Sequence, residues 1–378
     1  MDFAILDHGR AIIAHMTEEL SWAQIGERIR ESRLAAGLTQ EALGDKVGLE
    51  RSKVSKLEKG DRHIDAVELT LIARTLHYPL SHFLTQPPEV VSRRAAAVAD
   101  SGDVGETAAT RGTYRTEALL SEWLRDVRQL VHDGVLAPRP LVRFPDRVED
   151  LDQAREAALW LRDRLGLGRE PIESVADACE LSGQFIAVVD LGSDGASLVD
   201  DDVAVAVIDA RQQPGRRRST AAHELAHMVL GDEFSSDLGV HASREEREAV
   251  IEAFAAEFLL PRNQTYVVAE KKSEDARRHA LVRLAATYRV SWRLAVSQLK
   301  HARVVDADLL RRMRTRTPTD AEFKDALGWK PQPDLDSIRV SPRYASAVME
   351  AMRQHLVTRD RAVEMMRGQV STEELIEL

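Results

Sequence analysis

The sequence predicts an α+β protein, mainly α with a small β-sheet, built from more than one folded unit. Three observations lead there. Apolar residues recur at helical spacing through most of the 378 residues. Only two stretches, 185–191 and 202–209, read as strands, being Val-rich runs bounded by Asp and Gly. A chain of this length holds two or three domains at roughly 150 residues each.

Composition narrows the class. With 44% hydrophobic and 30% charged residues the chain reads as a globular protein with a real core. No run of 18 apolar residues exists, which removes a transmembrane helix and a membrane partner. The N-terminal apolar patch Ile12-Ile13-Ala14 is broken by His15 and followed by acids, which is not a signal peptide. The single cysteine, Cys179, excludes a disulfide framework and any multi-cysteine metal site. The expected compartment is therefore cytoplasmic. A net charge of −10 argues against coating nucleic acid by bulk attraction and leaves room for a local basic face.

Taken in order, residues 1–20 are a short leader and 21–84 a set of short helices separated by Gly or polar turns. Residues 85–115 change character: Pro87-Pro88 and Ala-, Ser- and Gly-rich sequence read as a linker. A helix at 116–131 and a three-proline crossing bring the chain to 150. Residues 151–300 form a second unit, with helices at 151–165, 172–181, 216–230 and 245–260 around the two strands. Residues 301–378 are a helical C-terminal region whose apolar faces suit core or dimer packing rather than a cofactor site.

The first unit carries a specific pattern. Thr39 is placed to cap a helix whose apolar face is Ala42, Leu43 and Val47, and Gly48 supplies a turn. In the next helix Val54 and Leu57 point inward, leaving Arg51, Ser52, Lys53, Ser55 and Lys56 outward. Residues 51–62 hold five bases against two acids in an otherwise acidic chain. Two short helices joined by a Gly turn, the second carrying bases and hydroxyls, suit insertion into a DNA major groove. Lysine and arginine neutralise phosphates, and serine and glutamine bond to base edges or phosphates. The stretch from Ile25 to Leu80, with Leu38-Thr39-Gln40 and Ser52-Lys53-Val54-Ser55-Lys56-Leu57-Glu58-Lys59-Gly60, resembles the Xre/Cro-type helix-turn-helix family. That resemblance implies a five-helix domain acting as a homodimer on a double-stranded, pseudo-palindromic operator. It also implies DNA contacts from Gln40 and the outward face of 50–57.

The second unit holds Ala222-His223-Glu224-Leu225-Ala226-His227. Histidines four apart lie one helical turn apart on one face, so both imidazoles reach a single zinc ion, and Glu224 is placed beside them to hold a water. A catalytic zinc takes three protein ligands and leaves one position open. Ser243-Arg244-Glu245-Glu246 reads as the start of a helix on which Glu248 and Glu252 flank the apolar residues Ile251, Phe254, Ala255 and Phe258. Glu248 is assigned as the third ligand, with Glu245 as the fallback. Glu252 is assigned as the group orienting a ligating histidine. His241 and Tyr266 both offer a donor to an oxyanion, and that role stays unassigned.

These motifs, Arg218-Ser219-Thr220-Ala221-Ala222-His223-Glu224-Leu225-Ala226-His227 and the segment Glu248 to Pro261, resemble the ImmA/IrrE family of zinc metallopeptidases. Glu252 stands where that family commonly carries a small polar residue. The resemblance covers 151–300 and implies a minimal gluzincin-like fold, one Zn2+ per chain on His223, His227 and Glu248, and Glu224 as catalytic base. The expected protein is an operator-binding regulator that also hydrolyses a specific protein, a repressor or antitoxin-like partner, in a stress or mobile-element response. The alternatives are a non-cleaving transcription factor whose zinc module senses or binds, and an antitoxin or phage-defence component.

Overall fold

A computed structural model describes residues 21–76, 78–84, 92–93, 108–191, 194–232, 241–328, 335 and 339–375. The expected leader and most of the expected linker lie outside the described residues. Contacts divide the chain into two compact units, Met1–Pro87 with Ala99–Glu122, and Pro88–Val98 with Trp123–Leu378. The fold class is as the sequence indicates: mostly helical, with a small sheet in the second unit.

The first unit holds five helices among its described residues before the linker: α1 (Trp22–Ala35), α2 (Gln40–Val47), α3 (Arg51–Glu58), α4 (Ala66–Leu76) and α5 (Leu80–Leu84). Ser21 caps α1 through a reciprocal box with Gln24, and Thr39 accepts from the Ala42 amide to start α2. Ile25, Ile29, Leu43, Val54, Leu57, Ile72 and Phe83 close into one core. Beneath it runs a buried ion pair: Arg33 reaches both carboxylate oxygens of Glu58, at 2.5 and 3.1 Å. This fork holds the N-terminal helix to the end of α3.

The division between the units falls within α6 (Ala108–His132), which begins inside the expected linker rather than at 116. The second unit continues with α7 (Leu151–Arg164), α8 (Val175–Leu181), and strands β2 (Gln184–Val189), β3 (Gly195–Asp200) and β4 (Val203–Asp209). Next come α9 (Pro214–Val229) and α10 (His241–Leu259). Strands β2 and β4 match the two expected from sequence, and β3 is an additional strand. Its sequence Gly-Ala-Ser-Leu-Val-Asp has too little Val or Ile character to stand out.

A two-residue strand, β1 (Ser92–Arg93), completes the sheet, whose order is β1-β3-β4-β2. Strand β4 lies at the centre, parallel to β2 and antiparallel to β3, and is buried along its length. The outer edge of β2 is covered. Along β2, the Val188 amide donates to the Arg339 carbonyl at 2.7 Å and the Ser341 amide to that of Ile186 at 3.2 Å. The C-terminal region therefore forms part of this unit's core: Tyr344, on the helix Pro342–Arg353, packs against Trp123 with ring centroids 4.3 Å apart. Arg162, fully buried, donates to the carbonyls of Gly168, Phe258 and Glu170 and ties α7 to the end of α10.

Candidate metal centre and nucleic-acid interface

Helix α9 lies against the sheet and carries the two histidines. It starts with Pro214 at its first position, earlier than a cap at Ser219 or Thr220 would place it. Ser219 instead donates to the Gly215 carbonyl within the helix, and Thr220 donates to the Gln212 side chain. Helix α10 likewise starts at His241, before the expected Ser243 box. The side chains of 241–244 lie outside the described residues, so the expectation for His241 finds no test there.

Within this frame the donor atoms of His223, His227 and Glu248 all lie within 4.8 Å of one another. The two Nε2 atoms are 3.1 Å apart, and His223 Nε2 is 3.4 Å from Glu248 Oε2. Four ligands at about 2.0–2.1 Å around a tetrahedral zinc sit about 3.3 Å from each other, so both spacings fit its edges. The chemistry of the set agrees. His227 Nδ1 faces Asp232 Oδ2 at 3.2 Å, which assigns the ring proton to Nδ1 and leaves a lone pair on the Nε2 that faces His223. A cation between the rings turns that facing pair into ligation.

The carboxylate that meets His227 is Asp232, a residue the sequence did not single out beside Glu252. At about 100° of turn per residue, Glu252 lies about 40° beyond Glu248, farther from the stripe formed by Ile251, Phe254 and Phe258. Glu248 is half-buried at the edge of that stripe, and Glu252 is exposed. Asp232 reaches His227 because α9 ends in a reversal: Gly231 takes φ of 65° and the Asp232 amide donates back to the His227 carbonyl at 3.0 Å. Positive φ is open to glycine without a Cβ clash. Arg247 fixes the other Asp232 oxygen at 2.8 Å while donating to the Val148 carbonyl. Burial alone lowers the affinity of His227 for a proton. The bond to Asp232, with the charges of Glu224, Glu248 and Asp232, reverses this and raises its pKa. For Asp232, burial pulls upward, and the bonds to His227 and Arg247 carry its pKa below the usual value.

Glu224 is fully buried. Ser197 on β3 donates its hydroxyl to Glu224 Oε2 at 2.7 Å, and Gln184 on β2 donates to the Glu224 backbone carbonyl at 3.0 Å. Gly195 makes room: a Cβ there would lie 2.6 Å from Thr220 Cγ2 and 3.3 Å from Glu224 Oε1. Sequence reasoning missed Asp232, Ser197 and Gly195. The first follows the helix-ending Gly231, a legible signal. The other two belong to the strand that the sequence concealed. Glu245 and Tyr266 are exposed, and Glu245 is not part of the donor cluster.

In the first unit, Arg51, Ser52, Lys53 and Lys56 are exposed and Ser55 is half-buried, along one side of α3. Gln40, half-buried at the start of α2, makes a contact inside the domain. Its amide nitrogen donates to Glu58 Oε2 at 2.8 Å, so the side chain is engaged within the domain by the buried Arg33–Glu58 pair.

Comparison with known proteins agrees with both halves. Residues 190–300 match the IrrE N-terminal-like domain of the M78 peptidases, and residues 29–83 match a helix-turn-helix family of the Xre-like kind. An uncharacterized HTH-type transcriptional regulator of Sinorhizobium medicae (strain WSM419) is 36% identical over 64 residues, 17% of this chain and 46% of that protein. An uncharacterized transcriptional regulator in the ATPase CF(0) region of Rhodospirillum rubrum is 35% identical over 63 residues, 17% of this chain and 58% of that protein. The chain thus spans about half the length of the curated relatives it matches. The crystal structure of Bacillus thuringiensis PlcR in complex with the peptide PapR7 and DNA aligns over 91% of this chain and 79% of that one at 10% identity. Its TM-score of 0.16 is too low to indicate a shared overall arrangement.

Proposed function

We propose that this chain is a DNA-binding regulator with a zinc-dependent endopeptidase site, and that the two activities are carried by its two units. The observation that carries the peptidase reading is the three-donor cluster of His223, His227 and Glu248 beside the buried carboxylate of Glu224. In this reading the three side chains hold one Zn2+. Bound there, the ion supplies Lewis-acid polarisation of a scissile carbonyl and acidifies water.

The remaining steps belong to the chain's own groups. Asp232 keeps the His227 lone pair aimed inward. Ser197 holds one oxygen of Glu224, which takes a proton from the attacking water and returns it to the leaving amine. No side chain becomes covalently attached to substrate, and Cys179, fully buried, takes no part. The exposed bases of α3 support operator binding through phosphate neutralisation and base contacts. The family likeness supports a homodimer on a pseudo-palindromic site and a repressor or antitoxin-like protein as substrate, in a stress or mobile-element response.

The test combines metal content with cleavage. Purified protein is expected to hold one Zn2+ per chain, and the zinc-loaded form to hydrolyse a protein substrate from a panel of extended peptides and repressors. Protein that takes up zinc and cuts none of them is a binding module and not a peptidase.

A further inference from the structure

A second concentration of positive charge lies far along the sequence from the helix-turn-helix helices. Residues 271–316 hold thirteen lysines and arginines against four acids, a net of +9 inside a chain whose total is −10. Charge asymmetry of this size within one chain marks surfaces that meet polyanions. Six of these bases belong to a helical hairpin of the second unit, formed by α11 (Trp292–Ala302) and α12 (Ala307–Thr315). The hairpin closes antiparallel: the Trp292 indole, at the start of α11, donates to the Met313 carbonyl, near the end of α12, at 2.8 Å. Ala295, Val296 and Leu299 of α11 and Leu309 and Met313 of α12 are buried in one core. Both helices therefore turn their opposite faces to solvent on the same side of the unit.

The bases sit on those outward faces. At about 100° of turn per residue, Arg293, Ser297 and Lys300 fall within about 60° of one another, opposite the buried side of α11. Arg311 and Arg314 do the same on α12, and Arg303 stands in the turn between. All five bases are exposed. Asp308 pairs with Arg311, whereas Arg293, Lys300, Arg303 and Arg314 have no ion-pair partner among the described residues. The resulting field acts on a neighbour: burial lowers the pKa of His301, and the charges of Arg155, Lys300, Arg262 and Arg303 lower it further. The other side chains decide which polyanion fits. No large apolar residue of the hairpin is exposed, which a helix lying in a membrane surface would need. Single-stranded nucleic acid is held by aromatic platforms on which bases stack. Trp292 is the only Phe, Tyr or Trp of 292–315, and its ring is covered by the Arg278 guanidinium, 5.2 Å from the ring centroid. Rigidly spaced cations without stacking groups suit a duplex, which offers one phosphate charge about every 1.7 Å of its axis.

We propose that the α11–α12 hairpin is a second, sequence-independent contact for duplex DNA, in which Arg293, Lys300, Arg303 and Arg314 neutralise backbone phosphates. It goes beyond the operator reading of α3 and needs no zinc. Phosphate contacts position a protein and carry no sequence information, so the hairpin adds affinity and salt dependence without operator choice. A duplex taken up by the first unit is at high effective concentration for a second site on the same chain, which is why duplex DNA is favoured over an acidic protein.

The experiment titrates the full chain onto a labelled duplex of arbitrary sequence by fluorescence anisotropy, over roughly 50–200 mM salt. Three variants are compared with the parent: Arg293→Gln/Lys300→Gln/Arg314→Gln, the charge-preserving Arg293→Lys/Lys300→Arg/Arg314→Lys, and Lys53→Ala/Lys56→Ala on α3. Neutralising three phosphate contacts should lower the slope of log affinity against log salt by about 2–3 and weaken binding at least roughly tenfold. The charge-preserving variant should keep the parental slope, and the α3 changes should add to those on the hairpin. A parental slope in the glutamine variant overturns the proposal, as does an equal loss in the charge-preserving variant, which would make the effect one of folding. A slope lowered by the hairpin changes and not by those on α3 sustains the proposal and removes α3 from the DNA face. A single-stranded oligonucleotide and polyglutamate are offered in parallel. Either one losing more affinity than the duplex in the glutamine variant overturns the duplex assignment, in favour of single strands or of an acidic protein.

Discussion

Asp232 Oδ2 lies 3.2 Å from His227 Nδ1, and Arg247, the neighbour of Glu248 in sequence, holds the other Asp232 oxygen at 2.8 Å. The histidine helix and the glutamate helix are thus joined by a charged link that bypasses the metal position. Ligand geometry at such a centre is set before any ion arrives, so binding need not organise the two helices first.

Under the zinc reading proposed above, this arrangement gives Asp232 the role of positioning His227. Asp232→Ala frees the His227 ring and removes the partner of Arg247. Zinc affinity should fall by roughly 10–100-fold, measured by competition with a chromophoric chelator. The far-ultraviolet circular dichroism should be retained, because the surrounding core of Leu225, Val229, Ile251 and Phe254 is untouched. Glu252→Ala, on the exposed side of α10, should leave the affinity unchanged.

Metal binding and turnover should separate at Glu224. Glu224→Gln keeps the shape and the bond from Ser197 but cannot accept the water's proton. Zinc content should stay at one per chain while the cleavage rate drops by roughly 10²–10⁴-fold. His223→Ala should lose both zinc and cleavage. Equal rates for Glu224→Gln and the parent would remove Glu224 from the role of base.

What the sequence revealed and concealed follows from how local each signal is. His223, Glu224 and His227 sit on one turn of one helix, so spacing alone places them together. The pairing of that turn with Glu248 was inferable because a catalytic zinc needs a third ligand and Glu248 borders the apolar face of Ile251, Phe254 and Phe258. Asp232 was passed over because its position depends on a left-handed residue after a helix, and no periodicity marks it. Strand β3 was passed over because Gly195 and Ser197 are chosen by Glu224, a tertiary neighbour, at the expense of strand propensity. The bond from Gln40 to Glu58 was not legible for a related reason: Glu58 is 18 residues away and looks like a surface charge in sequence, yet is buried against Arg33.

The first unit offers a test of which of its polar residues face a ligand and which face the core. Lys53→Ala and Lys56→Ala, both exposed on α3, should each weaken binding to duplex DNA and reduce the slope of log affinity against log salt by about 1. Gln40→Ala should instead lower the unfolding free energy by about 1 kcal/mol, the usual net value of a hydrogen bond, with little change in the salt slope. Fluorescence anisotropy across a salt series, with urea unfolding of the same variants, checks both. A salt slope altered by Gln40→Ala and not by the lysine changes would place the DNA face elsewhere.

Glu180 gives the second unit a pH dependence that can be read without metal. It is buried on α8, where loss of water pushes its pKa up to about 7. The Arg343 amide and guanidinium, with Arg139, oppose the rise and Asp177 adds to it. The Arg343 amide donates to Glu180 Oε2 at 3.0 Å. Because the folded-state pKa lies above the ordinary value of 4.5, the folded chain binds this proton more tightly than the unfolded one. The contribution is therefore fully present below pH 4.5 and is lost as pH rises toward 7, an effect on the order of 2–3 kcal/mol for this group. Glu180→Gln keeps an acceptor for the Arg343 amide and removes the titration. Its unfolding free energy in urea should vary less between pH 5 and 8 than that of the parent and should exceed the parent's at pH 8. Parallel curves for the two proteins across that range would mean that Glu180 ionises at its ordinary pH despite its burial.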